Sequence, residues 1–306
     1  MAMANIKKTW IRCCIIGFGV IFSLYGQTTL PVLNQTQLVS AIRPPFSFAI
    51  IGDRTGEGPD PWTVFDEAIR DINQRRPDFA VMIGDIIQGG ARTSIALETR
   101  WQEAVAHLDS LRVPLYMIPG NHDIWSQATY QAWKEKIGDS YFSFTCGTVL
   151  FLFLNSEESY SGSGSGLGRA QIDFVTSALN QHADASQIFI FMHRPPWLET
   201  GPLKKQWEDV ETLLQGKRFS LITGHLHILG ETQKQGNRYL VVGPTGGKMR
   251  LARNPDLGMM QHFTWVDVRP DTSYFQFIEN KTSYPEQKAL EVYARGVVGL
   301  KYLLRQ

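Results

Sequence analysis

Five short apolar runs, each followed within a few residues by a side chain that can bind a metal ion, constrain this chain more than any other feature. The runs are typical of buried strands, and segments with helical periodicity lie between several of them. Strands that alternate with helices predict an α/β fold, in which ligands gather beyond the carboxyl ends of the strands. The runs and their polar residues are 46–51 with Asp53, 78–83 with Asp85, 115–118 with Asn121, 188–192 with His193, and 219–223 with His225 and His227.

The segments between the runs carry the signals for helices. Asp60 and Pro61 stand before an amphipathic stretch at residues 62–76, which predicts a capped helix. Residues 159–168 are rich in glycine and serine, which predicts a mobile loop. Further helices are predicted at 94–111, 169–182, 204–215 and 286–304, a central strand at 148–154, and strands of antiparallel character at 239–242, 263–268 and 274–278.

The N-terminal residues 1–26 differ from the rest of the chain. Basic residues precede an apolar stretch at 13–25, which has the length of a signal-peptide core and is short for a membrane span. We expect cleavage near Gly26 and export to the periplasm or the cell exterior, and an uncleaved anchor facing outward is the alternative. Cleavage would leave Cys146 as the sole cysteine of the mature chain, which excludes an internal disulfide.

The remaining chain suits one sizeable domain. Its 306 residues are 43% hydrophobic, which is ordinary for a globular protein. We expect a linker at residues 27–45, the main domain at 46–270, and a C-terminal strand and helix at 271–306 packed on that domain. A formal net charge of +1 gives no electrostatic reason to expect nucleic acid or acidic lipid as a partner, and the oligomeric state is left open.

The polar residues at the strand ends form a set of oxygen and nitrogen ligands. Two aspartates, one asparagine and three histidines, without a thiolate, suit Mn, Fe or Zn. Six ligands exceed one tetrahedral site but fit two adjacent divalent or trivalent ions, with Asp85 as the natural bridging carboxylate. Two ions about 3.5–4 Å apart can hold a bridging hydroxide and clamp the oxygens of an in-line phosphoryl displacement.

The order of these motifs resembles the calcineurin-like metallophosphoesterases, whose pattern is D-x-H, G-D, G-N-H-[DE], a lone H, and G-H-x-H. The matching stretches are Gly52-Asp53-Arg54-Thr55-Gly56, Gly84-Asp85, Gly120-Asn121-His122-Asp123, His193 and Gly224-His225-Leu226-His227. The resemblance covers about residues 46–270 and implies a four-layer sandwich of two mixed β-sheets flanked by helices. It also implies a metal-dependent hydrolase of phosphomonoesters or phosphodiesters that acts on a small phosphoester.

The resemblance assigns roles to individual residues. The first metal would be bound by Asp53, Asp85 and His227, and the second by Asp85, Asn121, His193 and His225. His122 would protonate the leaving alkoxide or stabilise the phosphate, with Asp123 orienting its imidazole. Arg54 and Arg194 would contact the substrate phosphate or pair with a carboxylate.

Thr55 departs from this pattern. Many members of the family carry a histidine at that position, so the first metal would lose a nitrogen ligand, which Gln88, Glu57, a main-chain carbonyl or water would replace. The Gly52–Gly56 stretch itself resembles a subgroup of exported bacterial phosphoesterases. The alternative function is a catalytically weakened protein of the same fold that binds metal or phosphate.

Overall fold

The computed structural model describes Val39 and residues 41–56, 61–158, 165–296 and 298. The expected signal segment, most of the expected linker, Asp60 and the centre of the glycine-rich loop lie outside the described residues. Val39 is buried and packs in the main core, so the chain joins the domain before the first strand.

The described chain forms two mixed six-stranded sheets with helices on their outer faces. The strands are β1 (Phe46–Ile51), β2 (Phe79–Met82), β3 (Leu115–Met117), β4 (Phe142–Cys146), β5 (Val149–Phe153), β6 (Gln187–Phe191), β7 (Phe219–Thr223), β8 (Gly230–Lys234), β9 (Asn237–Val241), β10 (Phe263–Val268), β11 (Ser273–Glu279) and β12 (Thr282–Pro285). The helices are α1 (Pro61–Arg75), α2 (Ser94–Leu108), α3 (Gln127–Lys136), α4 (Gly168–Gln181), α5 (Gly201–Leu213) and α6 (Gln287–Ala294).

Each sheet has a parallel part that delivers the predicted ligands. The first sheet has the order β12-β11-β10-β1-β2-β3, in which β1, β2 and β3 run parallel and the other three strands pair antiparallel. The second has the order β4-β5-β6-β7-β9-β8, with parallel strands inside and antiparallel strands at both edges. The loops that follow neighbouring parallel strands lie at the same edge of a sheet.

The alternation of side chains along β1 explains the layers. Phe48 and Ile50 face a core between the two sheets, whereas Ala49 and Ile51 face a second core under α1, α2 and α3. The outer face of the second sheet forms a third core with α4 and α5. Strands buried on both faces read as continuous apolar runs, as the sequence of β1 does. The resulting four layers confirm the predicted fold class.

Two predictions about individual elements need correction, and one helix was missed. The helix predicted at 286–304 ends at Ala294, where Gly296 follows with a φ of +73°, and the predicted continuation at residues 297 and 299–304 lies outside the described part. The strand predicted as antiparallel at 239–242 is parallel to β7 and antiparallel only to β8. The missed helix is α3, whose capping box pairs Ser126 with Thr129 instead of the Glu or Gln that marks such a box in a sequence.

None of the helices in the described part of the chain is long and apolar enough to cross a membrane.

Candidate metal centre

The carboxyl ends of β1, β2, β3, β6 and β7 bring the predicted ligands of both sheets together. Asp53, Asp85 and His227 each contribute one atom to a first group in which all three atoms lie within 4.8 Å of one another. Asp85, His193 and His225 form a second group within the same limit. Asp85 belongs to both groups, which is the position that a carboxylate bridging two ions would take.

The first group is fixed by hydrogen bonds to the main chain. The buried carboxylate of Asp53 accepts the His225 N–H at 2.9 and 3.2 Å, and its Oδ2 lies 3.2 Å from Nε2 of His227. Nδ1 of His227 donates to the carbonyl of Lys248 at 2.6 Å. Burial alone would lower the pKa of His227, but the charge of Asp53 raises it overall. The site therefore favours a positive charge beside Asp53.

The second group follows the same design. His193 is fully buried, and its Nδ1 donates to the carbonyl of Ile83 at 2.9 Å, so that Nε2 faces Asp85 at 3.4 Å. Burial opposes protonation, but the charges of Asp85 and Asp53 raise the pKa of His193 to about 10. Conversely, burial would raise the pKa of Asp85, but the charge of His193 lowers it overall. A histidine whose second nitrogen donates to a carbonyl is the usual arrangement of a metal ligand.

Unsatisfied atoms and backbone strain indicate what this site is built to hold. Among the described residues, the buried atoms Asn121 Oδ1 and His193 Nε2 have no hydrogen-bond partner, a costly condition for polar groups away from water. Asp85, His225 and His227 adopt φ values of +58°, +68° and +55°, where non-glycine residues cost about 1–3 kcal/mol each. A pair of metal ions fits these observations. The ligand atoms are oxygen and nitrogen without thiolate, two of them lack a hydrogen-bond partner, and three of the residues have a strained backbone.

Two glycines of the motifs are required by close approach. A Cβ on Gly120 would lie 2.2 Å from Asp85 Oδ1, and a Cβ on Gly224 would lie 2.3 Å from Asp53 Oδ1. Real Cβ atoms do not approach oxygen so closely, so any side chain would displace these carboxylates. The glycines that precede Asn121 and His225 therefore make room for the ligands of the neighbouring strands.

Asp123 does not have the role that the resemblance implies. Its buried carboxylate accepts four main-chain N–H groups, from Asp85 at 2.6 Å, Gly120 at 2.8 Å, Ile86 at 3.1 Å and Ile87 at 3.2 Å. Burial and the charge of Asp85 raise the pKa of Asp123 to about 7, although these donors oppose the rise. The expectation that Asp123 orients the imidazole of His122 is therefore corrected, because its oxygens instead tie the Asp85 loop to the loop after β3.

His122 is oriented by the main chain. Its Nδ1 accepts the N–H of Gly89 at 3.0 Å, so in the neutral ring the proton resides on Nε2. The main-chain N–H of His122 donates to Asp85 Oδ1 at 2.8 Å, which places the ring beside the shared carboxylate. A Cβ on Gly89 would lie 2.9 Å from His122 Nδ1, so this contact depends on glycine. Gly89 belongs to no motif and was missed by sequence reasoning.

The two predicted arginines lie beside the ligands rather than in the open cavity. Arg54 is buried, with Nε donating to the carbonyl of Ile86 at 2.8 Å and its guanidinium 4.1 Å from the centre of the Trp62 ring. Burial lowers the pKa of Arg54. Arg194 pairs with Glu157 at 2.8 Å, and its Nη1 lies 3.2 Å from Nε2 of His225. Burial opposes the charge of Arg194, but Glu157 raises its pKa overall.

Thr55 occupies the position of the missing histidine. Its buried hydroxyl donates to Asp85 Oδ2 at 3.3 Å, so this side chain contacts the shared carboxylate. Of the expected substitutes, Gln88 accepts the N–H of Gly56 at 3.0 Å, and Glu57 lies outside the described residues.

An open cavity of about 400 Å³ lies above the two groups. Two of its lining residues, Lys248 and Arg250, come from the loop after β9, where no motif marks them in the sequence. The lining consists of Thr55, Gly56, Asp85, Asn121, His122, His225, His227, Lys248 and Arg250.

Comparison with known proteins agrees with this geometry. The family model described as calcineurin-like phosphoesterase matches residues 46–229. The chain is similar to the mouse protein named serine/threonine-protein phosphatase CPPED1, with 32% identity over 53% of this chain and 56% of that protein. It is also similar to a probable glycerophosphodiester phosphodiesterase GpdQ of Arcobacter nitrofigilis, with 28% identity over 51% of this chain and 59% of that protein. The chain thus spans little more than half the length of these curated relatives.

Solved structures share the fold. A dimetal phosphatase from Danio rerio superposes with a TM-score of 0.62 at 16% identity, covering 79% of this chain and 98% of that one. GAP50 of Plasmodium, named as the anchor in the inner membrane complex, gives a TM-score of 0.57 at 14% identity, covering 85% and 94% of the two chains. Given the match over residues 46–229, the chain belongs to the calcineurin-like phosphoesterase family.

Proposed function

We propose that this chain is a metal-dependent phosphoesterase with a binuclear centre, which hydrolyses a phosphomonoester or a phosphodiester. The observation that carries the proposal is the sharing of Asp85 between two groups of ligand atoms. Relatives named as a protein phosphatase and as a phosphodiesterase support the reaction type without deciding between the two ester classes.

We assign the two ions to Mn, Fe or Zn, because carboxylate, amide and imidazole ligands without thiolate suit these metals. Asp53, Asp85 and His227 would hold one ion, and Asp85, Asn121, His193 and His225 the other. When bound, the ions would supply positive charge to the phosphoryl oxygens and activate water at neutral pH.

The chain's own contribution to the chemistry is proton transfer and orientation. His122 lines the cavity, and the hydrogen bond from Gly89 leaves the proton of its neutral ring on Nε2. That N–H is the group that would donate to the leaving oxygen as the ester bond breaks. Asp123 would act through the main chain, because its hydrogen bonds tie Asp85, Ile86 and Ile87 to Gly120, two residues before His122.

The Asp85→Asn variant tests the function. Wild type and variant are loaded with Mn or Zn and assayed on an aryl phosphate and a bis-aryl phosphate. Loss of one shared carboxylate should abolish most turnover with both esters, whereas the exposed control Asp184→Asn should match wild type. Full activity in Asp85→Asn, or a wild type that binds no metal, would overturn the mechanism.

A catalytically weakened metal-binding protein is the second candidate, and the hydroxyl of Thr55 beside Asp85 is the observation that favours it. Such a protein would bind one ion per chain and would not hydrolyse either ester. Two ions per chain together with hydrolysis support the enzyme.

Export to the periplasm or the cell exterior is our proposal for the location, supported by the composition of residues 1–26. Retention of these residues as an outward-facing anchor is the alternative. The intact mass of the protein isolated from cells distinguishes the two, because cleavage near Gly26 removes a defined mass.

A further inference from the structure

The loop of residues 247–250, which we call the rim loop, is fastened through its main chain to Asp53 and His227 of one ligand group and to Thr55. The N–H of Gly247 donates to the carbonyl of Asp53 at 3.0 Å, and the N–H of Lys248 donates to the carbonyl of Thr55 at 3.0 Å. The carbonyl of Lys248 accepts Nδ1 of His227 at 2.6 Å. The rim loop is therefore held in a fixed position at the mouth of the cavity.

The side chains of the rim loop bring two positive charges to this mouth. Lys248 is exposed, lines the cavity and forms no ion pair with any residue in the described part of the chain. Arg250 also lines the cavity, and its Nε donates to the carbonyl of Leu226 at 3.1 Å, which fixes the direction of the guanidinium. A Cβ on Gly56 would lie 2.5 Å from Cβ of Lys248, so the base of the lysine side chain packs directly on the first motif.

The charges around the cavity are unbalanced in favour of an anion. Within the described residues, Asp85 is the one acid among the lining side chains, and His193 lies against it at 3.4 Å. Exposed Lys248 has no acidic ion-pair partner among the residues that the structure describes. An exposed cation at the mouth of a cleft attracts a negatively charged ligand and steers its approach.

The position of the rim loop indicates which part of a substrate it meets. If the phosphoryl group is bound beside His122 by the ions that the two ligand groups would hold, as the proposed function requires, it lies among the ligand residues that line the cavity. The alcohol portion of the ester then extends into the remaining cavity, which Lys248 and Arg250 also line.

We propose that Lys248, assisted by Arg250, selects phosphoesters whose leaving group carries a second anionic group. This inference rests on the proposed function. It deepens that function by naming a substrate class: esters with a carboxylate or a further phosphate close to the ester that is cleaved.

The expected preference is modest, because solvent screens the pair. Ion pairs with exposed partners have small free energies, so we expect about a two- to fivefold higher kcat/KM for the anionic ester. The effect should lie mainly in KM, because the contact is present in both the ground state and the transition state. It should also shrink as salt is added, since the Debye length falls to about 3 Å at 1 M.

The experiment compares two esters of nearly the same shape whose leaving groups differ in charge. The metal-loaded full chain is assayed on 3-carboxyphenyl phosphate and on its neutral amide, 3-carbamoylphenyl phosphate, and the ratio of their kcat/KM values is the readout. Lys248→Gln should bring the ratio toward one, whereas Lys248→Arg should retain it. Lys205→Gln provides a matched control, because Lys205 is exposed on α5 and does not line the cavity.

A salt titration of the wild-type ratio separates a charge effect from a structural one, since a change in packing would not depend on salt. Equal kcat/KM for the two esters in the wild type would overturn the inference while leaving the phosphoesterase intact. A ratio unchanged in Lys248→Gln would do the same. Failure of the loaded wild type to hydrolyse these esters and the generic aryl phosphates would overturn both proposals.

Discussion

Replacement of Asp123 by asparagine tests the interpretation of this residue as a structural clamp. In the structure, Oδ2 accepts the N–H groups of Asp85 and Gly120, and Oδ1 accepts those of Ile86 and Ile87. Asparagine has one acceptor oxygen and one NH2 group, so in either orientation two buried N–H donors face another donor.

The structure sets the size of the effect. A buried donor left without an acceptor costs about 1–3 kcal/mol, so Asp123→Asn should destabilise the fold by roughly 2–6 kcal/mol. For a domain of this size such a loss lowers Tm by roughly 4–12 °C. The measurement belongs at pH 8, because the pKa of Asp123 is raised to about 7 and the carboxylate is then ionised.

Thermal unfolding with and without a chelator gives the result, with Asp184→Asn as the exposed control. Chelation separates the clamp from any stabilisation by bound metal. A variant with the Tm of wild type but little activity would refute this reasoning, because it would restore the role expected from the family pattern, in which Asp123 serves only to orient His122.

Three further predictions follow from close contacts and burial. Gly89→Ala places a Cβ 2.9 Å from Nδ1 of His122, so kcat should fall about tenfold or more at unchanged metal content, as read by turnover and elemental analysis; an unchanged kcat would contradict the proposed orientation of the ring. Gly224→Ala places a Cβ 2.3 Å from Asp53 Oδ1 and should lower the metal content itself; full metal occupancy would contradict it. Burial lowers the pKa of His262 to about 4 from an ordinary value near 6.5. Between pH 4 and pH 6.5 His262 therefore binds a proton in the unfolded chain but not in the folded chain. The free energy of unfolding should therefore fall by about 3 kcal/mol as the pH falls from 6.5 to 4. Urea unfolding of His262→Phe should lack this part of the pH dependence. An identical pH dependence in the variant and the wild type would contradict the assignment.

The sequence was sufficient to predict the layers and the ligand-bearing edge of the fold. Runs such as 46–51 and 219–223 are mostly apolar, and the structure places both strands in the interior of mixed sheets, each with a parallel neighbour. Helix ends were harder, because a residue such as Gly296 ends a helix through a left-handed backbone that apolar periodicity does not reveal. The pairing of β9 was missed because strand direction depends on which neighbour the chain meets in space.

The roles of the side chains at the site could also be predicted only in part. Types of ligand are visible in a sequence, because metal chemistry selects carboxylate, amide and imidazole groups. Contacts with the main chain are not visible, so neither the four bonds to Asp123 nor the bond from Gly89 to His122 was predicted. Lys248 likewise carries no motif and joins the site only because the loop after β9 folds over the first strand end.

The number of metal ions per chain tests the central claim most directly. Wild type and Asp85→Asn are saturated with Mn, freed of excess metal, and analysed for metal and for hydrolysis of an aryl phosphate in the same samples. We predict two ions and turnover in wild type, and fewer than two ions with turnover lost in the variant. Hydrolysis by a wild type that holds one ion or none, or two ions and full turnover in Asp85→Asn, would contradict the shared-carboxylate centre.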